Sequence, residues 1–205
     1  MLIRTITCIC LALIFAPACV TTDEHQHATS NSRWLEPSAG LRQKIDDELA
    51  RLPWTHGVER VEQIQWFAGV GEPAYDALLK LCEDKRPDVA ASAVAALGAT
   101  GDSRLVEPLH AIEWQATGDR ALEFEKARAF ARLGDWSRVD VLIRGLEDES
   151  LWARSWSIQA LREATGQDLG FDPKSDADQR AVGVAKWRAW SASRTGEGIL
   201  ARSTQ

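Results

Sequence analysis

Between Trp34 and Trp190 the apolar residues recur at intervals of three and four, the spacing that places them on one side of an α-helix. Leu41, Ile45, Leu49 and Leu52 mark one such face, and Val61, Ile64, Phe67 and Ala68 mark the next. No alternating run of β-branched residues is long enough to argue for a strand. The pattern therefore predicts an all-α protein, with Trp34 and Leu35 beginning the folded part and Pro37 opening the first helix.

The same pattern repeats. Shifted by 64 residues, Ala77-Leu78-Leu79 falls on Val141-Leu142-Ile143, Cys82-Glu83-Asp84 on Leu146-Glu147-Asp148, and Val94, Ala96 and Leu97 on Ile158, Ala160 and Leu161. A middle copy carries Leu109, with Ala129 and Leu133 standing where Ala93 and Leu97 stand in the first. Its second helix is displaced by about five residues near Gln115 to Asp119, so the period is about 32 residues, in the range of helical repeats. The punctuation repeats too. Gly101-Asp102 and Gly134-Asp135 pair a helix-ending glycine with a capping aspartate. Asp84 to Pro87 and Asp148 to Ser150 form turns within the units, and Pro87 suits a first helical position, where its missing N–H is not needed. These signals predict an α-α superhelix of three to four helical hairpins, at about 37–70, 72–100, 102–133 and 135–165, closed by a cap over 166–193.

The unit D-V-x-x-x-A-x-x-A-L-G, here Asp88, Val89, Ala93, Ala96, Leu97 and Gly98, resembles the HEAT repeat family in its bacterial phycobilisome-lyase-like branch. The resemblance covers 72–165 well and 37–71 loosely, and it implies a solenoid whose second helices line a concave surface. The C-terminal region is similar to the closing segment of bacterial HEAT-like proteins, with Thr165, Gly166, Gly170, Asp172 and Pro173 followed by Trp187 and Trp190. Independently of any family, Gly166 can end a helix in a left-handed cap, and Ser175 to Asp178 resembles a capping box. Ala181, Val184, Trp187 and Trp190 then form an apolar face able to cover the open end of a stack.

The N-terminus departs from the helical pattern. Arg4, the apolar run from Ile6 to Phe15, and Ala16-Pro17-Ala18 read as an export signal over 1–18; the run is half the roughly 20 residues a membrane-spanning helix needs. Cys19 follows directly, and here the chain resembles bacterial lipoprotein precursors, which implies a lipid on Cys19 and, with Val20 next, the outer membrane. Cleavage at the same bond without lipidation gives a periplasmic or secreted protein. The polar stretch 19–33 reads as a tether, with 34–205 as the repeat domain. The formal net charge of −6 becomes −7 once Arg4 leaves with the signal, and no basic stripe is present. Nucleic acid is therefore excluded as a partner, and a membrane is reached only through the lipid on Cys19. Of four cysteines, Cys8 and Cys10 leave with the signal. That rules out a disulfide framework and leaves Cys82 as a small apolar residue beside Leu78 and Leu79.

Nine tryptophans are many for 205 residues. Trp187 and Trp190 are read as cap. Trp152 and Trp156 lie one turn apart where the earlier copy has Asp88 and Ser92, while Ala153, Ser157, Ala160 and Leu161 form the inward stripe. The two indoles either line the second-helix surface or lie beneath the loop from Gly166 to Pro173. In the first case they form, with Arg154 and Arg128, a site for a peptide or sugar. Lys126, Arg128 and Arg132 face Glu123 and Glu125 at ion-pair spacing. His25 and His27 lack a third ligand, His56 and His110 lack a nucleophile, and Gly69 to Ala74 matches a dinucleotide fingerprint without its preceding strand. The absence of any His-Glu dipeptide separates the chain from the iron-binding deoxyhypusine hydroxylases of the same superfamily. The sequence thus predicts a non-catalytic protein-binding or scaffold module with no cofactor and no metal, anchored at the cell envelope. The alternatives are an enzyme-like lyase or chaperone of the phycobilin-lyase type, and a purely structural envelope protein.

Overall fold

The structure is a computed structural model that describes residues 33–203, with side chains described through Arg194. The described residues form nine α-helices and no strand. In chain order the helices are α1 (Ala39–Arg51), α2 (Gly57–Val70), α3 (Tyr75–Leu81), α4 (Pro87–Ala99), α5 (Val106–His110), α6 (Arg120–Arg132), α7 (Val139–Gly145), α8 (Leu151–Thr165) and α9 (Ala177–Ser203). The export segment and Cys19 lie outside the described residues, as do His25 and His27. Among the described residues no helix is long and apolar enough to cross a membrane.

The ends of these helices follow from local chemistry. Ser38, not Pro37, caps α1, its hydroxyl accepting from the Leu41 N–H at 3.3 Å. Asp84 and Asp148, related by the repeat, make the same turn: their Oδ1 atoms accept from the N–H two residues on, Arg86 and Ser150, both at 2.8 Å. Asp102 and Asp135 do likewise with Arg104 and Ser137. Gly166 ends α8 in the left-handed conformation, φ 66° and ψ 9°, which a residue without a Cβ adopts freely. The link from α5 to α6 spans nine residues, 111–119, where α3 to α4 and α7 to α8 take five each. The insertion is four residues rather than five.

Packing runs between first and second neighbours in the chain. α2 lies against α4, α4 against α6 and α6 against α8, while α3 packs on α4 and α7 packs on α6, α8 and α9. Two groups of buried side chains result. One joins Trp34, Ile45, Phe67, Leu78 and Leu97 to Leu122 and Phe130. The other joins Leu142, Leu146, Ile158 and Leu161 to Phe171, Val184 and Trp187. α6 contributes to both, Phe130 and Ala129 to the first and Ala127 and Ala131 to the second.

Two predicted faces are rotated from their expected positions. On α2, Val61 is 52 % exposed and Gln63 is buried with Phe67. Gln63 is satisfied inside: Nε2 donates to the Glu48 carbonyl at 2.8 Å, and Oε1 accepts from Thr55 Oγ1 at 2.9 Å. A buried amide with both ends paired costs little, so the apolar face can turn outward. On α9, Ala181 is exposed and Gly183 is buried with Val184 and Trp187. Phe171 occupies the space a Cβ on Gly183 would need, 2.9 Å from the ring. Trp190 is half-buried, edge-on to Trp187 and Trp136 at 5.6 and 5.4 Å, with Arg194 over its face.

Candidate functional site

One groove, of about 890 Å³, crosses α2, α4, α6 and α8. Its apolar lining is small where the helices meet and larger at the ends: Ala91, Ala95 and Ala99 of α4 in the middle, Val61 and Ile64 on α2, and Trp156 on α8. Ala91, Ala95 and Ala99 fall one turn apart along one side of α4, with Leu97 on the opposite side.

The charged side chains that line it are paired among themselves. Arg60 donates to Asp88 Oδ2 at 2.9 Å and to the Leu52 carbonyl at 3.0 Å. Arg132 bonds Glu163 at 2.5 Å, and Arg128 reaches Glu125 at 3.3 Å and Glu163 at 3.8 Å. Burial pushes the Glu125 carboxyl up, against the pull of Arg128. Burial acts the same way on Glu163, but hydrogen bonds from Arg132 and Gln159 outweigh it and hold that carboxyl below its ordinary value. The groove thus carries three arginines and three carboxylates with no net charge, so shape and apolar contact dominate what it can hold.

A second cleft, of about 730 Å³, opens beside the groove between α6, α7 and α8 and shares Ala121, Glu125 and Trp156 with it. Phe124, Val141, Trp152, Ala153 and Trp156 line it. Trp152 and Trp156 stack on each other, centroids 4.4 Å apart at 31°, and the Phe124 ring stands 6.2 Å from that of Trp156. They remain 64 % and 38 % exposed. The C-terminal loop therefore does not cover them.

That loop is fastened elsewhere, and it decides the fate of Arg154. Arg154 is buried and points away from the two indoles. Its guanidinium donates to the carbonyls of Asp148, Glu149 and Pro173 at 2.7, 2.8 and 3.0 Å. Its place in the candidate binding set is corrected: a long side chain beside the tryptophans in sequence spends all three bonds holding the turn before α8 to the loop before α9. Arg162 adds a bond to the Phe171 carbonyl at 3.0 Å. Arg128 does lie with Trp156, its guanidinium 5.8 Å from the ring centre. Lys126 is also displaced from the expected basic face. It is buried, 4.0 Å from the centre of the Trp114 ring, and paired with Glu123 at 2.7 Å.

Trp152, Trp156 and Arg128 are thus together at the junction of groove and cleft, while Trp187 and Trp190 belong to the packing of α9 on α7. Sequence inspection missed Arg60, Glu125, Glu163 and Phe124 as lining residues. The one signal that could have found Phe124 is its spacing one turn before Arg128 on α6. His110 pairs with Asp135 at 2.5 Å and lies 4.6 Å from Phe130, outside both hollows. Among the described residues no group of three or more His, Cys, Asp or Glu is placed to hold a metal ion. No family model matches the chain, and no curated protein matches it significantly.

Proposed function

We propose that this protein is a non-catalytic recognition module whose groove binds an extended segment of a partner protein. In this reading the hairpins stack as a HEAT-like solenoid with α2, α4, α6 and α8 as the inner row, and a lipid on Cys19 holds the domain at the cell envelope. The observation that carries the reading is a single groove touching all four of these helices, with its charges already paired and the exposed indole of Trp156 at one end.

The size of the groove favours an extended occupant. Four helices spaced by about 8–10 Å span roughly 27 Å. The middle of the groove is lined by Ala91, Ala95 and Ala99, side chains short enough to let a narrow, extended chain approach α4 closely. At about 3.3 Å per residue, the span takes roughly eight residues.

The test uses the small stripe. Ala99 is exposed on α4 and Ala91 is half-buried against the core, so Ala91→Arg/Ala99→Arg fills the groove, and the single Ala99→Arg beside it, with thermal melts of both, separates a filled groove from a disturbed core. Octapeptides selected from a displayed random library on the full-length protein are expected to bind the double variant at least tenfold more weakly. Selection of no peptide, or of peptides indifferent to the double substitution, removes the reading. The anchor is tested separately by mass spectrometry of the mature N-terminus, where an unacylated Cys19 removes the lipid.

A further inference from the structure

We infer that the cleft between α6, α7 and α8 is the pocket for one bulky, uncharged side chain, aromatic by preference, carried by the segment that occupies the groove. The inference rests on the groove reading and adds the chemistry of the partner.

Three observations carry it. The cleft is continuous with the groove through Ala121, Glu125 and Trp156, so a chain lying across α6 and α8 passes its mouth. Its walls are aromatic: Phe124 on α6 faces the stacked pair Trp152 and Trp156 on α8. Those two indoles keep open surface that no part of the described chain covers. Rigid aromatic walls suit a ring or a large aliphatic group, and the hollow is roomy enough to admit the bulkiest side chain.

The charge arrangement selects against an ionic anchor. Arg120 is bonded to Asp148, and Arg144 to Asp140. Glu123 holds Lys126 and Arg138, Glu125 holds Arg128, and the Asp119 carboxylate accepts from the Leu122 N–H at 2.8 Å. A lysine, arginine or carboxylate set against Phe124, Val141 and the indoles gives up water and meets a counter-charge only by breaking one of these pairs. A neutral ring stacks on the indole and phenyl faces without displacing any of these pairs, while Arg128 already takes the cation position over Trp156.

The experiment takes the octapeptides selected on the full-length protein and replaces each large apolar position by Ala and by Lys. One position, near one end of the peptide, is expected to be aromatic or Leu in most binders. Replacing it by Ala weakens binding to wild type by about thirtyfold, the scale of an interface hot spot, and Lys weakens it at least as much. In Trp152→Ala/Trp156→Ala the same replacement changes binding by less than threefold, while Trp156→Phe, which keeps a ring, retains most of the discrimination. Thermal melts that match wild type show that the double variant is folded. Binders with no preferred bulky position, or an anchor effect that persists in the double variant, overturn the pocket. Peptides that ignore both tryptophans yet are lost on Ala91→Arg/Ala99→Arg leave the groove standing and the pocket refuted; selection of no peptide removes both. Binding of chitotriose that depends on Trp152 and Trp156, with no anchor effect in any peptide, assigns the cleft to neutral sugars and also overturns the inference.

Discussion

Gly98 of α4 lies directly against Ala129 of α6: a Cβ built on Gly98 stands 2.6 Å from both the Cα and the Cβ of Ala129. The two helices come into close contact at this point, beside the groove that Gly98 helps to line. The fully buried Ala93, Ala96 and Leu97 of α4 complete the contact side. Gly98→Ala is therefore expected to destabilise the fold by about 1–3 kcal/mol, the usual cost of overpacking. Urea unfolding checks this through a lower midpoint at unchanged slope. An unchanged midpoint means the helices can part at no cost.

Arg154 gives a second prediction. Its removal orphans three carbonyls and unfastens the loop before α9. Arg154→Ala should cost about 2–4 kcal/mol, given that hydrogen bonds to charged groups are worth more than neutral ones. Arg154→Lys should recover only part of this, since a single ammonium does not span acceptors on two segments as the planar fork does. Both values come from the same urea curves. A Lys variant as stable as wild type refutes the bridging role.

The tryptophans should separate sharply. Trp187 is fully buried, and Trp187→Ala should lose about 3–5 kcal/mol. Trp152 is 64 % exposed, and Trp152→Ala should change stability by no more than about 1 kcal/mol. Thermal melts of the two variants measure the contrast. Equal losses refute the assignment of one indole to the core and the other to the surface.

Acid should unfold the protein through identifiable carboxylates. Hydrogen bonds from Arg104 hold Asp102 below its ordinary value. Asp135 is held low too: burial opposes this, but the Ser137 N–H and His110 prevail. A carboxyl whose folded value is depressed contributes stability that is complete above its unfolded pKa, about 4. That contribution drains as pH falls through the folded value. Glu125, pushed up by burial, works in the opposite sense, and its protonation relieves a cost. Asp135→Asn should therefore flatten the loss of stability below about pH 4, as followed by urea midpoints from pH 6 to pH 2. An acid limb unchanged in that variant removes Asp135 from the list of contributors.

Cys82 should be chemically silent in the folded protein. It is fully buried, and desolvation pushes its thiol far above the ordinary range, so almost no thiolate forms. Peptide-level mass spectrometry after thiol labelling should show Cys82 modified only at the rate of global unfolding. Rapid labelling under native conditions refutes the burial.

By itself, the sequence determined that the chain is helical and where several of its turns fall. Three- and four-residue spacing, capping aspartates and helix-ending glycines act over a single turn, so Asp84, Asp102, Asp148 and Gly166 were legible without any partner. It also determined that Trp187 is apolar core, because its neighbour Val184 lies on the same side of α9. Tertiary structure alone decided which side of a helix meets which neighbour. Val61 faces outward because Gln63 finds partners on α1 and in the turn after it. Arg154 leaves the tryptophans because the carbonyl of Pro173, nineteen positions away, completes its bonds. The uncovered state of Trp152 and Trp156 depends on where that loop is tied. Periodicity reports that one face of a helix is apolar; only the arrival of distant chain says whether that face becomes core or stays open to a ligand.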